Sequence, residues 1–369
     1  MALELWCCCG NTERWTIQAN GNGYGSLMQA LVKMFILSAC IGLAFLDVTG
    51  SAETLPGKGK AVNYAQGDSL GGNYVATQIV IKAMQMLGYD VKLSTMNTTL
   101  FFQAVAQGDA DLDTDVNFPQ REPSFRRVES QAEIVGTGLI VGGGVNGYMI
   151  DRKTALAHNI TRLEQMKDPK IAGLFGQDGK ADLISCDPGW SCGDVVDYQL
   201  EKFGLTQTVR AMRGKYEALM VDVIFRVKSD KPAFFYAWTP SWTTSELVPG
   251  KDVVWLPTPA GALPPNVSST GSALVNNVQG CAGGADPCRM AMASWNWGVV
   301  ANRKFISANP AIKSLVEQVK FPLVTWLHWE SEIGKNGGSA LLISKLSNEW
   351  LAANKSKLDQ WVAKARAAQ

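Results

Sequence analysis

Aromatic side chains set beside turn residues are the features of this chain whose chemistry reads most directly. Trp190 lies inside CDPGWSC (186–192), a Pro-Gly turn between two cysteines. Trp238 ends the apolar run AFFYAW (233–238), Trp242 follows it in AWTPSW, and Phe118 closes LDTDVNF (112–118) directly before Pro119. Tryptophans that pack a core normally sit on regular elements, so a Trp on a loop tip or at a strand end is a candidate ligand contact. The packing alternatives are specific: Trp190 laid over the cysteine pair, Trp238 and Trp242 in a strand-end core, Phe118 as the last core residue of its strand. For Trp242, and for Phe118 taken alone, packing is the reading adopted. Rings converging from strand ends suit one group in particular. A quaternary ammonium has no N–H to donate and binds aromatic faces, at about 0.5–2 kcal/mol per desolvated ring. Three such rings supply a substantial part of the about 8 kcal/mol that micromolar affinity requires. A neutral box of this kind needs no carboxylate.

Composition narrows the remaining chemistry. The 369 residues, 46% hydrophobic and 18% charged, can bury a sizeable core, as about two domains. With 34 basic against 33 acidic residues there is no surplus of cations to displace phosphate counterions, which argues against nucleic acid as a partner. The two histidines, His158 and His328, are too few and too far apart for a His-rich metal site or most His-based catalysis. Cys186 with Cys192 and Cys281 with Cys288 form two local pairs, an arrangement that in an exported chain favours disulfides. A four-thiolate zinc site competes with that reading, but the spacings depart from those of a zinc knuckle. DGKAD (178–182) has the look of part of a calcium loop without its Asp/Asn ladder and closing Glu, and is read as a solvated turn. No metal or cofactor is assigned. An exported enzyme is the alternative from a different class. A thiol oxidoreductase calls for C-x-x-C and a hydrolase for a Ser–His or Cys–His pair, and neither pattern is found.

The elements that must position these rings alternate between strand and helix. Apolar residues at helical spacing run from Val75 to Leu87 and stop at Gly88; Val91 and Leu93 open a strand. Thr99 is placed as the cap of a short helix through Ala106, and Ala110–Val116 as the next strand. Leu139–Gly144 and Tyr148–Ile150 read as extended, Lys215–Phe225 as a helix, Ala233–Trp238 as a buried strand and Met290–Ala301 as another strand. Asn309-Pro310 starts a helix through Val319, and Ser344–Ala368 forms one amphipathic C-terminal helix. The remaining tryptophans, Trp295, Trp297, Trp326, Trp329, Trp350 and Trp361, are read as strand or helix packing. The pattern predicts an α/β protein of two lobes, each a mostly parallel sheet flanked by helices, with ligand in the cleft between them at the carboxyl ends of strands. Residues 53–150 with 294–369 form the first lobe and 151–293 the second, with the Gly/Pro-rich segment 257–289 read as holding the second, return crossing between them.

Ahead of this lies an apolar block, MFILSACIGLAFL (34–46), behind Lys33 and before Gly50-Ser51-Ala52. It reads as a secretory signal peptide cleaved after Ala52, with Met28 as the more ordinary start and Cys7, Cys8 and Cys9 without function. Leu37-Ser38-Ala39-Cys40 matches a lipoprotein box, but it sits mid-block, so lipid anchoring is the lesser reading. No apolar run reaches the about 18 residues of a spanning helix, which argues against a permease.

From Leu55-Pro56-Gly57-Lys58-Gly59 to the C-terminus the chain resembles the periplasmic glycine betaine/proline betaine-binding proteins of ProU-type ABC transporters, the ProX family of type II solute-binding proteins. GYMIDRKTA (147–155), QMKDPKIAGLF (165–175), DGKADLISCDPGWSC (178–192), FFYAWTPSW (234–242) and PGKDVVWL (249–256) carry the likeness. The resemblance implies a tryptophan box, of which Trp190 and Trp238 carry over directly. The first box position falls in DVNFPQ, where Phe118 stands instead, a weaker cation–π partner. It implies further that backbone amides after the loop tryptophan, here Ser191 and Cys192, hold the ligand carboxylate. A family histidine that also meets this carboxylate has no counterpart. With a one-residue gap the position is Arg121, the choice favoured here and able to form a bidentate pair; without the gap it is Glu122, which repels a carboxylate. Choline and trimethylamine N-oxide are the alternative ligands. The resemblance also implies a periplasmic monomer, a permease and an ATPase as partners, and a role in osmotic protection.

Overall fold

The computed structural model describes residues 54–368. The segments read as a signal peptide and a lipoprotein box, and the early cysteines, lie outside them.

The chain opens with strand β1 (Ala61–Gly67) and helix α1 (Gly72–Met86), in which Val75, Ile79 and Ala83 are fully buried along one face. Gly88 then takes a left-handed φ of 91°, where a glycine is free of Cβ strain. Strand β2 (Asp90–Met96) and helix α2 (Thr98–Gln107) follow. The cap of α2 is Asn97 rather than Thr99: its Oδ1 accepts the Leu100 N–H at 2.9 Å. Strand β3 (Leu112–Phe118) and the short β4 (Ala132–Ile134) complete this part.

Strand β5 (Ile140–Asp151) merges the two extended stretches anticipated around Gly144 and serves two sheets. Its early residues pair with strand β10 (Trp295–Asn302), Gly144 standing opposite Trp295. Its later residues, Val145–Ile150, pair with Phe234–Thr239. A Cβ on Gly144 would come within 2.5 Å of the Trp295 ring, so the absence of a side chain there is what lets that ring lie against the crossing strand.

The second sheet contains β6 (Ala181–Ile184), β7 (Val209–Met212), β8 (Phe234–Thr239) and β9 (Val253–Leu256). Strand order is β2-β1-β3-β10-β5 and then β5-β8-β6-β7, with β4 on β10 and β9 on β5. The sheets are mixed rather than mostly parallel. The β1–β2, β1–β3, β6–β7 and β6–β8 pairs are parallel, while β10 and β5 run antiparallel to their partners because each returns from one sheet toward the other. Helices α3 (Ser191–Lys202) and α4 (Tyr216–Lys228) accompany the second sheet, while the short α5 (Trp242–Glu246) after β8 packs chiefly against the later helix Leu323–Asn336.

The return crossing is strand only from Trp295; residues 290–294 are irregular. Beyond it come α6 (Pro310–Gln318), α7 (Leu323–Asn336), α8 (Ala340–Ala353) and α9 (Lys355–Arg366). The tail is two helices, not one: at Asn354 the backbone leaves helical geometry while its Nδ2 donates to the Trp350 carbonyl at 2.9 Å. The two still share one apolar surface, with Trp350 and Trp361 stacked at 5.5 Å.

Candidate functional site

A cavity of about 130 Å³ lies between the two sheets. It is close in size to the roughly 150 Å³ cavity that admits a benzene-sized molecule. Strand ends, the loops that follow them and one helix start supply its wall: Gly67 at the end of β1 and the loop through Gly71, Asp115 and Asn117 of β3, Gln120 and Arg121 after it, Gly189 and Trp190 with the opening residues of α3, and Tyr236 and Trp238 of β8.

Trp190 and Trp238 meet here as the sequence proposed. Their ring centroids are 5.9 Å apart at 69°, an edge-to-face pair. Tyr216, at the start of α4, backs both, with centroids 5.9 Å from Trp190 and 4.8 Å from Trp238. Tyr216 is itself fixed, its hydroxyl donating to the Tyr236 carbonyl at 3.0 Å and its N–H to the Asp187 carboxylate. The Trp190 indole N–H donates to Asp68 Oδ1 at 3.0 Å, a bond from one sheet to the other.

Cys186 and Cys192 form a disulfide that closes the loop under Trp190, and Cys281 pairs with Cys288. All four sulfurs are thereby engaged, leaving no thiolate among them for a metal. Asp182 of DGKAD is held by Arg210.

The carboxylate-facing candidates also collect at this cavity. Ser191 and Cys192 open α3, with Trp190 as its cap. The first amides of a helix have no intrahelical acceptor and carry the positive end of its dipole. Gly193 N–H is taken by the Trp190 carbonyl at 3.0 Å, which leaves Ser191 and Cys192 as the amides that can turn to a ligand. Arg121 lines the cavity, half-buried, and no side-chain hydrogen bond or ion pair engages it among the described residues. Burial lowers its pKa to about 10, so it remains a cation at neutral pH. Glu122 faces away, paired with Arg126 at 3.0 Å.

Phe118 is not part of the cavity wall. Side chains alternate along β3, so Asp115 and Asn117 point to the cavity and Phe118 to the opposite face. There its ring lies against Gly298, where a Cβ would approach it to 2.6 Å, and against Phe125 with centroids 6.1 Å apart. The rings contributed from the first-sheet side are Trp295, Trp297 and Trp326, whose places in the sequence read as strand or helix packing. Trp297 pairs directly with Asn117 and therefore shares its face. Centroids 4.2 Å apart for Trp295 and Trp297, and 5.0 Å for Trp297 and Trp326, make these three one aromatic wall. Trp242 is buried outside the cavity, as expected of a packing residue.

The wall also carries carboxyl groups that a neutral box does not require. Asp68, Asp115 and Glu330 all line it. Glu330, on α7, accepts the Gly72 N–H and the Trp326 indole N–H, each at 2.8 Å, and burial raises its pKa to about 7. Burial raises Asp115 well above the usual carboxylate range, as does neighbouring Asp113; the Asn73 amide at 2.7 Å opposes the shift. Asp68 is raised by burial as well. Of the three, only Asp115 has a local sequence signal, the period-2 alternation of LDTDVNF; Asp68 and Glu330 have none.

Residues 64–353 match the family described as the substrate binding domain of the ABC-type glycine betaine transport system. The chain belongs to that family. Its relatives in the substrate-binding family include the glycine betaine-binding periplasmic protein OusX of Dickeya dadantii, 37% identical over 339 residues, covering 90% of this chain and 98% of the relative. The glycine betaine/proline betaine-binding periplasmic protein of Escherichia coli is also 37% identical, over 346 residues, with the same coverage. Among solved structures, lactococcal OpuAC in its closed conformation with glycine betaine superposes with a TM-score of 0.59 at 16% identity, over 82% of this chain and 99% of that one. A choline-binding ABC-transporter protein complexed with choline superposes at 0.63 and 14% identity, over 84% and 96%. These structures establish the two-lobed solute-binding fold for the described chain.

Proposed function

We propose that this protein is the extracytoplasmic binding component of an ABC importer for a small quaternary ammonium zwitterion, glycine betaine or proline betaine. The observation that carries the reading is the meeting, in one cavity, of the Trp190 and Trp238 rings with the open amides of Ser191 and Cys192 and the unpaired Arg121. The ammonium lies against Trp190 and Trp238, with Trp297 facing them from the other sheet in the place anticipated for Phe118. The carboxylate lies on the start of α3 and on Arg121. Opposite charges of the ligand thus meet opposite ends of the site.

The first lobe comprises residues 53–150 with 294–369 and the second 151–293, flexing where β5 changes sheets. Closure brings the two aromatic walls onto the ligand, so binding favours the closed form. No covalent step takes place. The protein acts as a monomer and delivers its ligand to a permease driven by an ATPase, in the periplasm, where the names of the relatives above place those proteins.

A second reading, choline or another cation without a carboxylate, is favoured by Asp68, Asp115 and Glu330 on the wall. Titration calorimetry with glycine betaine, proline betaine, choline and trimethylamine N-oxide separates the two. Tight binding of the betaines with weak choline binding supports the zwitterion; choline as the tightest ligand overturns it in favour of the second reading.

A further inference from the structure

We propose that Asp68 is a positioning residue of this site: from the first sheet it holds the Trp190 indole of the second in its ligand-facing plane, and so ties closure of the cavity to the geometry of the aromatic pair. The inference rests on the binding reading above.

Asp68 and Trp190 stand 122 residues apart in the chain, and their bond spans the cavity they both line. Asp68 follows directly on Gly67, the last residue of β1, and Trp190 caps α3, so each is carried on the end of a regular element. The indole nitrogen is the one polar handle of the Trp190 side chain. Binding it at the ring edge leaves the faces for Trp238, Tyr216 and the ligand. An anionic acceptor makes the stronger hydrogen bond and places negative charge beside a ring that is to receive a cation. Lys215 acts on the same carboxyl group but is paired with Asp187 at 2.7 Å, so it orders the second-sheet side without engaging Asp68 directly. Opening the two sheets breaks the Asp68–Trp190 bond and frees the indole to turn. A ligand seated against the ring therefore stabilises the arrangement in which this bond is made.

The test uses protein labelled with ¹⁵N at the indole nitrogens, with the Trp190 cross-peak assigned through Trp190→Phe. In Asp68→Ala this cross-peak moves and its proton exchanges faster, and betaine affinity falls by about tenfold. Asp68→Asn keeps an acceptor: the cross-peak returns toward its original position and betaine affinity recovers to within about threefold, while choline binding stays weakened by the lost charge. An unmoved Trp190 cross-peak in Asp68→Ala overturns the proposal, as does an Asp68→Asn protein that is indistinguishable from Asp68→Ala in both readouts. If the unaltered protein binds neither betaine nor choline while its Trp190 cross-peak still responds to Asp68→Ala, the betaine reading fails and the positioning role stands.

Discussion

Trp297 stands directly opposite Asn117 in the antiparallel register of β10 with β3, and Phe118 stands opposite Asn296. That offset of one residue decides which ring reaches the cavity, because paired residues share a face and consecutive ones do not.

Replacing Trp297 with Ala is expected to weaken betaine binding by about tenfold or more, the loss of one desolvated cation–π face. Phe118→Ala is expected to lower the unfolding midpoint, by emptying the space over Gly298 and beside Phe125, while betaine affinity changes by less than about threefold. Both variants melt lower, since Trp297 is buried as well, but calorimetric titration gives opposite patterns for the two. Reversed patterns would return Phe118 to the box.

Arg121→Ala should weaken a betaine far more than choline, since only the betaine has a carboxylate to meet the guanidinium. Glu122→Gln should leave both unchanged, because Glu122 is engaged with Arg126 outside the cavity. Equal losses for both ligands in Arg121→Ala would remove the carboxylate contact from the scheme.

Glu330 makes stability depend on pH. In the folded protein its carboxyl keeps a proton up to about pH 7, whereas unfolded it ionises near its ordinary 4.5. Between those values the folded state binds more protons, so this group's contribution to stability falls as pH rises, by up to about 3 kcal/mol. Glu330→Gln should flatten that slope, measured as denaturant midpoints at about pH 5 and about pH 8. A slope unchanged in the variant would assign it to the buried Asp113–Asp115 pair.

The disulfide under Trp190 closes a short loop, Cys186 and Cys192 being separated by 6 positions. Chain entropy gives a loop of that length about 2 kcal/mol of stabilisation. Replacing both cysteines with Ser should lower stability by that order and weaken ligand binding as well, since the same loop carries Trp190 and the opening amides of α3. Stability lost without any change in affinity would show that the helix start is held by other contacts.

Much of the architecture was legible in the amino-acid order. The helical spacing of Val75, Ile79 and Ala83, the stop at Gly88 and the apolar strand before Trp238 are local patterns, and local patterns survive into the fold. Trp190 and Trp238 could be singled out because a turn between two cysteines and a strand end mark them in the chain itself, whereas Ser191 and Cys192 as carboxylate-holding amides followed only from the family resemblance. Asn97 displaced Thr99 as a cap, and Asn354 divided the last helix, because a side-chain amide competes locally with continued helix. Sequence left Arg121 and Glu122 as alternatives; which of them turns inward followed from how the short helix after β3 is set. The aromatic wall of Trp295, Trp297 and Trp326, and the carboxyl groups of Asp68, Asp115 and Glu330, were decided by tertiary structure alone. They come from segments far apart in the chain and share a surface only through strand register and the passage of β5 between two sheets. A residue's type and its neighbours determine what it can do, but which cavity it faces depends on pairings that no local pattern encodes.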